Sequence, residues 1–201
     1  NAIDYCKKNN SKLIFLSSFV YGNQNFAINE KCETLPQNPY SLSKLIGEQV
    51  CSFYKRVENL DVIILRPFNI FGPDQNKLFL IPKIINQIKN NFKIEVLDIK
   101  PKRDFLYVKD LASAIEKTLS YEGNHYIFNI GSGKSYSIEQ IIKILQELYG
   151  TNLEVLTKNQ TRKMEISETI ADITLAKKEL HWEPKYSIKA ALKEMIDNKE
   201  K

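Results

Sequence analysis

The sequence has little of what a metal site or a disulfide scaffold requires. Its 201 residues hold three cysteines, Cys6, Cys32 and Cys51, odd in number and without a close-spaced pair. That pattern argues against a disulfide framework or a zinc site and makes a reducing compartment the default. The two histidines, His125 and His181, lie far apart and read as structural or surface side chains, so no metal is expected. No apolar run approaches the roughly 20 residues of a membrane-spanning helix. Charge is not concentrated either. The net +5 is spread along the chain, with Lys100, Lys102 and Arg103 as its densest cluster. Nucleic-acid binding would need a basic face with interleaved aromatics, so that partner is not expected and anionic small molecules fit better. The opening segment NAIDYCKKNN resembles the tail of a helix, and a cytoplasmic location is the expectation.

What is present describes an α/β chain. Hydrophobic residues make up 43% and charged residues 26%, enough for one sizeable core. KLIFL (12–16) and DVIILR (61–66) read as short buried strands, each halted by a turn or a proline. Between them PYSLSKLIGEQVCSFYKRV predicts a helix from Pro39 to about Val57, with Leu42, Leu45, Ile46, Val50 and Phe53 as its apolar face. LIPKIINQIKNN predicts a second helix, IEVLD an edge-like strand, and DFLYV another short strand. Asp110 is the expected N-cap of DLASAIEKTL. YIFNI then reads as a strand, GSGKSYS as a loop in which Ser137 caps the next helix, and LEVLT as a last strand. Asp172 and Ser187 are the expected caps of the two final helices. Strands alternating with helices indicate a mainly parallel sheet. There is no internal repeat.

Two short motifs need weighing. Gly133-Lys134-Ser135 imitates the end of a phosphate-binding loop, but that motif needs glycine at 128, where the chain has Phe128. Tyr40 and Lys44, four apart in PYSLSK, would share one helix face. A chain this rich in both residue types produces such a pair by chance, so its meaning depends on its neighbours.

Taken in order, SSFVYG, PYSLSK, LRPFNIFGP, RDFLYVKDL, NIGSGKSYSI and HWEPKYSI resemble an extended short-chain dehydrogenase/reductase. More narrowly, they resemble the NAD-dependent epimerase/dehydratase family that acts on nucleotide sugars. The likeness implies the C-terminal part of a Rossmann-like doubly wound parallel sheet plus a small α/β substrate-binding region. Residues 1–75 would complete the dinucleotide-binding domain, and 76–201 would mostly bind substrate, with segments returning to the sheet. The family opens with a strand, a GxxGxxG turn and a helix that holds the dinucleotide pyrophosphate. Nothing in this sequence resembles that turn. The expectation is a C-terminal piece of a longer enzyme, with about 100 residues of βαβ units before Asn1. KLIFL would then be left as an unpaired apolar edge.

The resemblance also assigns roles. Tyr40 would be the acid–base catalyst, and Lys44 would favour its phenolate and hold the nicotinamide ribose; Pro67 and Phe68 would border the nicotinamide of NAD, with NADP not excluded. Ser17 would be the third catalytic residue, with Ser18 the alternative if the register slips by one. Asn69, Arg103, Arg162 and Glu165, with Ser18, would hold the nucleotide-diphosphate sugar. Glu165 stands where the family has aspartate, and Met164 replaces its usual preceding glycine. The 4,6-dehydratases place an acid one or two residues after the catalytic hydroxyl. Ser18 and Phe19 occupy those positions here, so a nucleotide-sugar epimerase, or a keto-sugar reductase, is expected over a dehydratase, in surface-polysaccharide sugar synthesis. A homodimer is usual for the family. A non-enzymatic remnant that binds a nucleotide sugar or a partner chain is the contrasting reading.

Overall fold

The computed structural model describes residues 2–24, 26–90, 93–158 and 166–197. Its centre is a three-stranded parallel sheet in the order β1 (Leu13–Leu16), β2 (Val62–Pro67), β7 (Ile127–Ile130). Leu13 lies opposite Val62, and Ile64 opposite Ile127. Every residue of β2 is buried, as a central parallel strand covered on both faces requires. Among the described residues β1 has no second strand neighbour, so KLIFL does form the edge of this sheet.

Helix α1 (Ala2–Asn9) packs beside β1, and α2 (Pro39–Glu58) crosses from β1 to β2. The start of α2 is fixed by its sequence. Asn38 accepts the Ser41 N–H at 2.9 Å, Ser41 Oγ accepts the Asn38 N–H at 3.3 Å, and Pro39 occupies the first turn. At Gly47 an added Cβ would lie 2.5 Å from the Phe15 ring, so this glycine lets the helix lie directly on β1.

Beyond the sheet come β3 (Asn69–Phe71), α3 (Leu80–Lys89), β4 (Ile94–Val96), β5 (Lys102–Arg103), β6 (Phe105–Tyr107) and α4 (Val108–Leu119). After β7 follow β8 (Tyr136–Ser137), α5 (Ile138–Tyr149), β9 (Val155–Thr157), α6 (Thr174–Leu180) and α7 (Ile188–Asp197). β3 pairs with β6 and β4 with β9 in parallel; β5 and β8 form a short antiparallel pair. One apolar core joins α3, α5 and α7, centred on Ile84, Ile141 and Leu192. A second lies on the central sheet and joins Ile63, Leu65 and Phe128 to Leu106, Ala176 and Trp182. Each such side chain contributes roughly 1.5–3 kcal/mol when fully buried.

Three local expectations shift. Helix α4 begins at Val108, so Asp110 lies inside its first turn and accepts the N–H groups of Lys185 and Tyr186 at 2.9 and 3.3 Å. Asp172 sits one residue ahead of the observed cap, Ile173, yet its carboxylate still accepts the Thr174 N–H at 2.9 Å. The loop GSGKSYS includes strand β8. Ser137 does cap α5, accepting the Gln140 N–H at 3.1 Å while Gln140 Oε1 accepts the Ser137 N–H, and Ser187 accepts the Ala190 N–H at 3.2 Å.

Candidate active site

In a parallel sheet the strands end together, and the crevice outside their carboxyl ends is where ligands bind. Here that edge carries Ser17 after β1, Pro67 at the end of β2 and Ile130 at the end of β7. The Ser17 N–H donates to the Leu65 carbonyl at 2.8 Å, and the Phe68 N–H to Ile130 at 2.9 Å.

The first turns of α2 project over the same edge. Lys44 Nζ donates to the Leu16 carbonyl at 2.9 Å, one residue before Ser17. It stands 5.4 Å from the centre of the Phe15 ring and 5.7 Å from that of Tyr40. Tyr40 is 60% exposed, with its ring beside the ammonium. Tyr40, Lys44 and the tip of β1 are thus brought together. Ser17 is buried and donates to Glu48 Oε1 at 2.5 Å, whereas Ser18 is half-buried.

Beneath this tip lies a charge network that the sequence reading did not single out. Arg66 grips Glu48 through Nε (2.9 and 3.1 Å) and Nη2 (2.6 Å), both side chains being almost fully buried. Arg66 Nη1 donates to Tyr21 Oη at 2.8 Å, and that hydroxyl donates to Asn129 Oδ1 at 2.7 Å. Burial pushes Tyr21 up to about 12, so it remains a neutral donor. Burial alone would lower Arg66, but its hydrogen bond to Glu48 holds it above its ordinary value, a permanent cation. The available signals were an arginine in an otherwise apolar strand and a glutamate four residues after Lys44.

Phe68 is buried edge-on against Phe19, ring centres 5.2 Å apart. Next to it, the Asn69 amide donates to the Asp104 carbonyl at 3.2 Å, and Asn69 pairs with Phe105 across β3 and β6. Asn69 therefore lies close to Arg103, whose Nη1 donates to the Lys102 carbonyl at 2.7 Å. Arg162 and Glu165 lie outside the described residues.

Asp104 is fully buried and accepts four bonds: the N–H and hydroxyl of Ser132, both at 2.7 Å, and the N–H groups of Gly133 and Ala171, both at 3.0 Å. Burial raises its pKa, and these donors oppose that rise. The Ser132 and Gly133 N–H groups are thus spent on a carboxylate of their own chain rather than left for a phosphate. Among the described residues no group of three or more His, Cys, Asp or Glu side chains could hold a metal, and no helix is long and apolar enough to cross a membrane.

The family model described as GDP-mannose 4,6 dehydratase matches residues 1–195. The dTDP-4-dehydro-6-deoxyglucose reductase of Escherichia coli is 35% identical over 179 residues, covering 86% of this chain and 56% of the relative. The UDP-glucose 4-epimerase of Thermotoga maritima, solved with UDP-glucose, superposes with a TM-score of 0.91 at 28% identity. That match covers 98% of this chain and 66% of the other. The UDP-glucuronic acid 4-epimerase of Bacillus cereus, solved with UDP-glucuronic acid and NAD, gives 0.90 at 28% identity, covering 97% and 63%. The chain therefore spans little more than half of the curated relative and about two thirds of the solved ones. With the α/β fold, the ordered motifs and these matches in agreement, the chain belongs to the NAD-dependent epimerase/dehydratase family of short-chain dehydrogenases/reductases.

Proposed function

We propose that this chain is the catalytic and substrate-binding part of a nucleotide-sugar 4-epimerase type of enzyme, working through a transient keto sugar. The observation that carries the reading is Lys44 reaching the Leu16 carbonyl with the Tyr40 ring beside it, at the tip that presents Ser17 and Ser18. Residues 1–75 then complete a dinucleotide-binding domain, and 76–201 mostly hold the substrate.

The residues present fit only the nicotinamide end of the cofactor. Lys44 has an ammonium free to exchange a backbone carbonyl for a ribose hydroxyl, and Pro67 and Phe68 close the crevice beside it. The pyrophosphate turn is not in this sequence. Bound NAD would supply the hydride acceptor and donor. Tyr40, beside the Lys44 ammonium, would take the proton of a sugar hydroxyl during oxidation of its carbon and return it when the carbonyl is reduced from the other face. Ser17 fixes the reacting oxygen, with Ser18 as the alternative. The Ser17 proton is committed to Glu48, so donating to the reacting oxygen would require that bond to open. Asn69 and Arg103, with Arg162 and Glu165, would take the diphosphate and the nucleotide ribose; a guanidinium suits phosphate oxygens.

Although the family model is described as a dehydratase, dehydration is disfavoured here, because Ser18 and Phe19 supply no acid for eliminating water. A keto-sugar reductase is the second reading, supported by the Escherichia coli relative. Product analysis separates the two, using a protein that joins this chain to a glycine-rich dinucleotide-binding segment. An epimerase equilibrates two nucleotide sugars with catalytic NAD and no net redox change. A reductase consumes one reduced cofactor per keto sugar. Absence of either conversion would leave the non-enzymatic remnant.

A further inference from the structure

A cavity of about 370 Å³ lies apart from the crevice just described and includes none of Ser17, Tyr40, Lys44, Asn69 and Arg103 in its walls. It opens between the loop after β7, the start of α4 and the segment leading into α7. Its volume lies within the range that small-ligand sites occupy.

Its walls combine two kinds of chemistry. Tyr107 and Tyr186 meet edge to face with ring centres 4.9 Å apart, and Tyr136 adds a third ring. At the rim stand Lys134 and Lys185, both exposed. No carboxylate among the described residues lies within ion-pair distance of either ammonium. The two acids in the walls are already engaged. Asp110 accepts the N–H groups of Lys185 and Tyr186, and Glu183 pairs with Lys177 at 3.3 Å. Aromatic walls beneath Lys134 and Lys185, neither held in a close ion pair though Asp110 attracts Lys185, match a small planar ring that carries an anionic group: the ring stacks on tyrosine, and the anion takes the lysines.

We infer that this cavity binds a small aromatic phosphate or carboxylate, at a site separate from the nucleotide-sugar crevice. One wall is mechanically linked to that crevice. Ser132 is held by Asp104, and Asp104 is the residue between Arg103 and the β6 strand.

Phenyl phosphate is a direct probe, titrated into the 15N-labelled 201-residue chain and followed by amide chemical shifts. Inorganic phosphate and benzyl alcohol serve as half-ligands. Saturable shifts centred on Ser132, Lys134, Tyr186 and Ser187, with both half-ligands weaker, are expected. The K134E/K185E double variant should weaken binding by about tenfold or more, as loss of two charge-assisted contacts implies. Lys143→Ala should leave the affinity within about twofold, since that exposed residue on α5 lies outside the cavity walls. Both lysines are exposed, and the spectrum itself reports whether each variant is folded. Shifts centred on Asn69 and Arg103, no saturable shifts, or unchanged affinity in the folded double variant would each overturn the assignment.

Discussion

Glu48 and Arg66 place opposite charges beneath the strand tip that carries Ser17, and the pair decides what that tip can do. Glu48 lies on α2 one turn after Lys44, so the contact that holds the helix to β2 also fixes the height of Lys44 and Tyr40 above the sheet edge. Removing one partner strands the other in the core. Glu48→Ala should lower the unfolding free energy by about 3–5 kcal/mol, the usual cost of leaving a buried charge unpaired. Urea denaturation followed by circular dichroism measures this, and a loss below about 1 kcal/mol would show that water reaches the guanidinium. The sequence made Tyr40, Lys44 and the serines candidates through the ordered run of motifs rather than through the spacing of any one pair. It did not reveal Glu48 and Arg66, because their partnership depends on a helix and a strand meeting across 18 residues, and only the fold places them together. The same holds for Asp104, whose four donors come from two distant loops.

At the scale of elements, α2 shows how a correct periodicity can leave orientation undecided. The apolar face read from Leu42, Ile46, Val50 and Phe53 exists, yet these side chains are 42–51% exposed and Val57 extends the stripe outward. The sheet-facing side of the helix instead carries Ser41, Glu48 and Cys51. Alternation of apolar residues says that a face is buried against something, but not whether that partner is the same chain. We propose that a contiguous stripe of this kind meets a second copy of the protein, the homodimer expected from the family resemblance. Analytical ultracentrifugation should show self-association that the double substitution Ile46→Lys, Val50→Lys abolishes without loss of helix signal. A wild-type chain that stays monomeric at high concentration would contradict the dimer. Other boundaries moved by a residue or two: α4 starts at Val108 because Asp110 is drawn to the N–H groups of Lys185 and Tyr186. Strand β8 was hidden inside a glycine-containing loop because two residues are too few to show alternation.

For the whole molecule, the alternating order of strands and helices made the α/β class and the parallel sheet readable in advance. What could not be read was how the second half folds back: β7 joins β2 across 60 residues, and α6 and Trp182 pack on the central sheet. The consequence for the proposed function is that the carboxyl ends of β1, β2 and β7 share one sheet edge, with the start of α2 held to it through Lys44. The account stands or falls on what happens there. With this chain joined to a glycine-rich dinucleotide-binding segment, turnover of a nucleotide sugar by Tyr40→Phe should be measured together with its sugar-nucleotide affinity. Loss of general acid–base catalysis predicts a fall of about 10²–10⁴-fold in turnover, with affinity held within about twofold because the phosphate contacts are untouched. Turnover that persists at the unsubstituted rate would contradict the account.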